Sequence, residues 1–403
     1  MNYPIYIKNC IEMLEGSGYS AYAVGGAVRD SLLGREPSDW DITTSAKPEE
    51  TLEVFKDLHT IPTGIKHGTI TVLIDNGEES IPVEITTFRI DGKYLDSRHP
   101  ESVSFSNDVR DDLSRRDFTV NAMAFNEKTG IIDAFGGKND LENRIIRAVG
   151  DPPTRFSEDA LRILRAFRFS SQLGFEIEEK TLAGAKKCAP LLKNIARERI
   201  GVEFKKLLSC ADPTYSLEKM VECDVWQNIF EVTAPDIQTI SKITRLQSES
   251  FATRLAFIVN NYSETEKETF LNSLRLSNNE KKLVLRLCNI KNFDVPQKRD
   301  EFYKCAREFL HLYNNIYDEA IEMLCFYNEN EQAFLNTVNA EKCKNNPLLI
   351  SDLDIRGEDV MPLCNKDYSK VGKILEALLH KVIEDPTLNE KEKLIEIAKK
   401  ELL

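Results

Sequence analysis

"GGAVRD" at residues 25–30 is followed nine residues later by "DWD" at 39–41. The glycine pair ends a β-like run, "AYAVGG", and the carboxylates open another, "DWDITT". On a strand, residues i and i+2 share a face, so Asp39 and Asp41 would present two carboxylates together while Trp40 turns to the other side. Paired carboxylates suit Mg²⁺, a hard cation that shares oxygen ligands with substrate phosphates. Gly25 and Gly26 would let backbone N–H groups approach a triphosphate, with the N-terminus of the next helix facing the anion. Each half has an ordinary alternative, a solvated acidic pair or a plain turn, and it is their combination that points to chemistry. Glu84, in "VEITTFR", supplies a third carboxylate if its strand neighbours the first; otherwise it faces solvent.

Working outward from that stretch, residues 20–135 hold short β-rich runs, including "GTITVLI", "IPVEITTFRI" and "FTVNAMAFN", separated by turns and helical stretches. This is an α+β pattern. From about 158 the apolar spacing becomes three and four and stays so, in "EDALRILRAFRFSSQLGF", "ARERIGVEFKKLLS", "EKKLVLRLCNI" and "VGKILEALLHKVIED". A mixed head on a long all-α stem is expected, with Pro152-Pro153 at the junction. At 403 residues the chain exceeds one ordinary core. No apolar run reaches the length of a membrane span, and "MNYPIYIKNCIEMLEGSGYS" lacks the features of a signal peptide, so a cytoplasmic protein with no membrane association is expected. The nine cysteines are scattered, odd in number and form no CxxC pair, so neither a zinc site nor a disulfide framework is suggested and buried thiols are expected. A net charge of −13 argues against nonspecific coating of nucleic acid but permits a local basic groove.

Five ordered motifs carry a resemblance: "GGAVRD", "DWDITT", "RRDFTVNAMAF" (115–125), "DAFGGKNDL" (133–141) and "EDALRILRAFRF" (158–169). With them the chain resembles the class II, bacterial-type tRNA nucleotidyltransferases and poly(A) polymerases, whose head is polymerase-beta-like. "ISDLDIRGEDVM" and "VGKILEALLHKV" look like the tail of the compact bacterial CCA-adding enzymes, although "NKDYSKVG" departs from the family's Gly-Pro pattern. The resemblance implies a nucleotidyltransferase head over 1–150, a neck for base recognition over 151–210, and a body over 211–330 and tail over 331–403 for tRNA binding. It implies template-independent addition of CCA to the tRNA 3′ end from CTP and ATP, by two-metal-ion catalysis with Mg²⁺ and release of pyrophosphate. No obligate protein partner is evident.

By the same resemblance Asp39, Asp41 and Glu84 are the catalytic carboxylates, the first two holding metal. Gly25, Gly26, Arg29, Arg116, Asp117 and Asn121 would bind the triphosphate and ribose, with Arg29 otherwise pairing with Asp30. Asp159 and Arg162, three apart on one expected helix face, present an acceptor beside a donor. Cytosine and adenine offer the complement and uracil and guanine the reverse. The alternative is an acidic first helical turn. Arg165 and Arg168 stand between nucleotide contact and surface pairing. Lys205 and Lys206, with Lys186, Lys187, Lys193, Arg197 and Arg199, are candidates for tRNA phosphate. The polar segment 89–114 resembles the flexible loop needed for the terminal A, which argues against CC-only addition. A-only addition stays an alternative, and "IPTGIKHGTITV" lacks the segment expected of a poly(A) polymerase. A catalytically silent RNA-binding homologue is the reading from another class.

Overall fold

The computed structural model describes residues 1, 3–75, 80–92, 102–328, 332–364 and 368–401. They fall into two compact units, one of residues 1–244 with 263–276, the other of 245–262 with 277–403.

The first unit is built on a seven-stranded sheet. Its strands are β1 (Ala21–Val24), β2 (Asp41–Thr44), β3 (His59–Ile61), β4 (Thr69–Asp75), β5 (Ser80–Thr87), β8 (Ala124–Asn126) and β9 (Gly130–Ile132), in the order β3-β4-β5-β2-β1-β8-β9. β6 (Arg89–Asp91) and β7 (Val103–Phe105) pair separately. Only β2 and β5 run parallel in the large sheet. Alternation explains the strands: Ile70 and Val72 on β4 and Val83 and Ile85 on β5 are buried, while Glu84 between the last two is exposed. Helices α1 (Ile5–Gly16), α2 (Gly26–Leu32), α3 (Pro48–Val54), α4 (Val109–Ser114) and α5 (Gly137–Glu142) accompany the sheet. Val24, Phe88, Val109, Leu113, Ala122, Ala124 and Val149 pack as one core cluster joining β1, β8 and α4.

The helical part opens with α6 (Pro152–Glu158), where Asp151 is the N-cap and its carboxylate accepts from Thr154 N. α7 (Leu161–Leu173), α8 (Glu179–Cys188) and α9 (Arg197–Leu208) follow, with β10 (Ile145–Ile146) and β11 (Glu176–Ile177) as a small parallel pair. The helix expected from 158 begins instead at 161, because Glu158 ends α6 and Asp159 has extended backbone, φ −140° and ψ 103°. In "FTVNAMAFN" only 124–126 is strand, because Thr119–Asn121 forms a 3₁₀ turn.

Further along lie α10 (Thr214–Glu222), α11 (Val225–Ile229), α12 (Ile237–Lys242), α13 (Phe251–Val259), α14 (Glu264–Ser273), α15 (Asn278–Asn289), α16 (Phe302–Tyr313), α17 (Tyr317–Tyr327), α18 (Gln332–Lys342), α19 (Gly357–Val360), α20 (Tyr368–Glu384) and α21 (Lys391–Glu401). In the first unit Trp226, Phe204, Phe230 and Phe270 form one aromatic cluster, with Trp226 stacked on Phe270 at 5.5 Å. In the second, Leu378, Val382, Leu394, Ala398, Leu353 and Val360 are the centre of a core drawn from α19, α20, α21 and the turn before them. Of the nine expected buried thiols, Cys10, Cys188, Cys223, Cys288 and Cys364 are buried, whereas Cys325 and Cys343 are exposed. Among the described residues no helix is long and apolar enough to cross a membrane.

Candidate active site

β1 delivers the chain to Gly25, the N-cap of α2, at φ 79°. That backbone conformation strains an L side chain, and a Cβ there would lie 2.9 Å from Arg116 Nη1. β2 begins at Asp41, which is level with Val24 on one neighbouring strand and with Glu84 on the other. The carboxylates of Asp41 and Glu84 therefore share a face of the sheet, beside the glycine turn. Asp39 precedes the strand, is exposed, and accepts from the Ser38 hydroxyl at 2.6 Å. The expectation that both aspartates lie on the strand is thus half met, and Trp40 between them is buried as alternation requires.

Burial, then Glu84, push the Asp41 carboxyl up to about 6; Asp39 adds to the shift and Arg116 opposes it. A carboxylate crowded by two others and by a low-dielectric wall is short of positive charge, and oxygen donors of this kind suit a hard divalent ion. Among the described residues no group of three or more His, Cys, Asp or Glu is placed so that it could hold a metal ion.

The "RRD" segment leaves α4 and is anchored by a residue that the motifs do not include. Asp112, fully buried, takes Arg115 Nε at 2.9 Å and Nη2 at 2.7 Å on one oxygen and Arg116 Nη2 at 3.3 Å on the other. Burial alone would raise its pKa, but the two guanidiniums outweigh it and hold the carboxyl low. The i,i+3 and i,i+4 spacing in "DLSRR" is the signal that could have found it.

Asp117 is buried against Arg165, which reaches one oxygen through Nε at 2.8 Å and Nη2 at 2.7 Å. The other oxygen accepts from Phe118 N at 2.8 Å and Asn121 Nδ2 at 3.1 Å. Against the effect of burial, Arg165 and Asn121 hold the Asp117 carboxyl down at about 2. Asn121 Oδ1 accepts from Arg29 Nη1 at 2.6 Å, and Arg29 forms a two-pronged pair with Asp30 at 2.8 Å. Arg29 is 4% exposed and makes the ion pair with Asp30, extended to Asn121. Phe169 collects three guanidiniums around its ring, Arg168 at 3.6 Å, Arg165 at 5.1 Å and Arg29 at 5.2 Å, and packs edge-on to Phe118. Arg168 also pairs with buried Glu203 at 2.7 Å. Arg168 therefore forms a buried framework pair, whereas Arg165 is half-buried in its pair with Asp117.

The motif at 133–141 braces this segment. Thr119 Oγ1 donates to Asp140 at 2.6 Å, and a Cβ on Gly137 would come within 2.2 Å of the Thr119 carbonyl oxygen.

Asp159 and Arg162 are close in the chain but do not share a helix face, since Asp159 sits in the break between α6 and α7. Asp159 Oδ1 accepts from Leu161 N at 3.1 Å and Oδ2 from Arg199 Nη2 at 3.0 Å. Arg162 donates to the carbonyls of Arg155 and Arg115, each at 3.0 Å, and to Glu158 Oε2. Glu158 thus ends α6 as the partner of Arg155 and Arg162, not as part of a first turn. Each side chain is fixed from behind, one from α9 and the other from α6 and the "RRD" segment. Lys205 and Lys206 lie exposed in the last turn of α9, beyond Arg199 and Glu203. Residues 93–101, the centre of the expected loop, lie outside the described residues.

Comparison with known proteins agrees with this geometry. Residues 21–147 match the Poly A polymerase head domain, 174–237 the "Probable RNA and SrmB- binding site of polymerase A", and 244–398 tRNA nucleotidyltransferase domain 2. The CCA-adding enzyme of Lactococcus lactis subsp. cremoris is 36% identical over 97% of this chain and 95% of its own length. That of Enterococcus faecalis is 36% identical over 97% and 94%. The crystal structure of the Bacillus stearothermophilus CCA-adding enzyme in complex with CTP superposes with a TM-score of 0.81 at 30% identity, covering 98% of this chain and 97% of that one. Full-length likeness at this level, with the glycine turn, the sheet carboxylates and the helical arm all present, places the chain in the CCA-adding enzyme family of tRNA nucleotidyltransferases.

Proposed function

We propose that this protein adds C, C and A to the 3′ end of tRNA from CTP and ATP, releasing pyrophosphate, in the cytoplasm where tRNA is found. The observation that carries the reading is the carboxylate face of the sheet, Asp41 level with Glu84, set against the Gly25 turn and the Arg116 guanidinium. Enzymes of this family generally use divalent metals. Mg²⁺ is the ion these oxygen donors fit, with Asp39 and Asp41 as its ligands and Glu84 as the third carboxylate of the site. When bound, such ions lower the pKa of the attacking 3′-hydroxyl and offset charge on the triphosphate.

The chain's own residues supply binding and selection. Gly25 and Gly26 leave the backbone open to phosphate, Arg116 lies over the turn, and Asp117 and Asn121 are poised for the ribose hydroxyls. Arg29, Arg165 and Arg168 act through that network by holding it in place. Asp159 accepts from the exocyclic amine of cytosine or adenine and Arg162 donates to the adjacent ring nitrogen. Because Arg199 holds the first and Glu158 the second, neither can turn to suit uracil or guanine, whose pattern is reversed. A rigid pair of side chains thereby replaces a nucleic-acid template. Residues 1–150 serve as catalytic head, 151–210 as recognition neck, and 211–330 and 331–403 as tRNA-binding body and tail, with Lys205 and Lys206 on the RNA side.

The test is incubation of the protein with tRNA lacking its last three, two or one nucleotides, each with CTP or ATP alone, followed by sizing of the products. Full CCA addition requires C on the first two and A on the third. Incorporation of A alone would assign the protein to A-only addition, and no incorporation would make it a silent homologue.

A further inference from the structure

We propose that Asp112 is a positioning residue for the triphosphate of the incoming nucleotide, acting through Arg116; this rests on the nucleotidyl-transfer reading above. Asp112 is fully buried, yet it faces two guanidiniums, so the cluster carries a surplus positive charge. Arg115 uses up one oxygen with two bonds and turns its own backbone carbonyl to Arg162. Arg116 is left under-used. Among the described residues its one side-chain hydrogen bond is the long contact from Nη2 to Asp112, and its Nε is buried without a partner.

A guanidinium has five N–H donors, and among the described residues those of Nη1, unlike the enclosed Nε, are both without a hydrogen-bond partner and open to an acceptor from outside. The place where Arg116 lies identifies that acceptor. Its Nη1 lies 2.9 Å from where a Cβ on Gly25 would sit, and Gly25 follows Val24, the strand partner of Asp41. An anionic oxygen between the glycine turn and the catalytic carboxylates is what this donor fan lacks, and a nucleotide phosphate supplies it. An arginine side chain left to itself samples many rotamers, so the buried Asp112 carboxylate is what keeps the fan aimed. Since CTP and ATP share the triphosphate, the effect is blind to the base, unlike that of Asp159 and Arg162.

The experiment is a double-mutant cycle on D112N and R116Q in the full chain, reading equilibrium binding of non-hydrolysable CTP and ATP analogues, with tRNA affinity and circular dichroism alongside. D112N is expected to weaken both analogues alike, by ~10-fold or more, as befits a charge-assisted bond to phosphate that is no longer aimed, with tRNA affinity unchanged. In the R116Q background D112N should add less than about 3-fold, since the two act as one unit. Additive effects, unequal effects on the two nucleotides, parallel loss of tRNA affinity, or unchanged nucleotide binding would each overturn the proposal. Should D112N fail to fold, D112E carries the test: it keeps the charge but displaces it. Weaker nucleotide binding at unchanged tRNA affinity supports the proposal, and unchanged nucleotide binding overturns it. Wild-type incorporation into tRNA is scored separately, so failure of the parent reading is seen independently of the cycle.

Discussion

Replacing Asp41 with Asn should abolish nucleotide transfer and, in metal-free protein, make the fold more stable. The Asp41 carboxyl rises from 3.8 to about 6 on folding, because burial and the facing Glu84 disfavour its charge. The folded state therefore holds this proton more tightly than the unfolded chain. Below about pH 3.8 both states are protonated and nothing is lost. Between 3.8 and about 6 stability falls as pH rises, and above that the full penalty stands. At 1.36 kcal/mol per unit the ceiling is roughly 3 kcal/mol, and partial solvent access brings the expected value to roughly 1–2 kcal/mol. For a unit of this size that is a Tm increase of roughly 2–6 °C. The assay is thermal unfolding of wild type and D41N in chelator at pH 7.5 and near pH 4, followed by titration of Mg²⁺. The Asn variant should be the more stable at pH 7.5, the two should converge near pH 4, and Mg²⁺ should raise the wild-type Tm alone. Equal or lower stability of D41N at pH 7.5 would refute the claim that this carboxylate is held against its own electrostatics.

Four other outcomes follow from the geometry. Arg162→Ala should cut use of CTP and ATP and raise the relative use of UTP, by the roughly 1–3 kcal/mol that a mismatched buried polar group costs; a uniform fall in kcat/KM with the preference order intact would remove the residue from base recognition. Asp159→Ala should also relax selection. Lys205→Glu with Lys206→Glu should weaken tRNA binding and flatten its dependence on log salt by about 0.9 for each phosphate no longer neutralised; unchanged binding at low salt would make them a solvated helix face. Gly137→Ala should destabilise the first unit by roughly 1–3 kcal/mol in denaturant unfolding, because its Cβ would overlap the Thr119 carbonyl.

The strand carrying Asp41, the glycine turn and the switch to helix were legible because each rests on local periodicity. Glu84 was legible only conditionally, since whether β5 lies next to β2 is a long-range fact. The break at Asp159 was not legible: "EDALRILRAF" has good helical spacing, and of the two partners of the Asp159 carboxylate, Leu161 N is local but Arg199 is 40 residues away. Arg29 shows the same limit. Its neighbour Asp30 could be named from the sequence, but its bond to Asn121, 92 residues on, could not. Asp112 was within reach, because its two arginines follow at three and four residues.

The pairing of charges has a consequence for how nucleotide binds. Arg29 is matched by Asp30, Arg165 by Asp117 and Arg168 by Glu203, while Arg155 and Arg162 share Glu158. Arg115 and Arg116 share Asp112, which leaves one surplus guanidinium. Facing it are Asp39, Asp41 and Glu84, none of which has a basic partner among the described residues within ion-pair distance. The metal-free site is thus net negative within a few ångströms of where a triphosphate would lie, in a chain already at −13. A triphosphate is repelled from such a surface, whereas the neutral nucleoside is not. Chelation should therefore weaken CTP binding by ~10-fold or more at low ionic strength, the one-decade change that about 1.4 kcal/mol of repulsion represents, and leave cytidine binding unchanged. Added salt should narrow the gap by screening. Equal CTP affinity with and without the divalent ion would mean that Arg116 and the backbone of the glycine turn suffice for the phosphates, and that the three carboxylates play no part in ground-state binding.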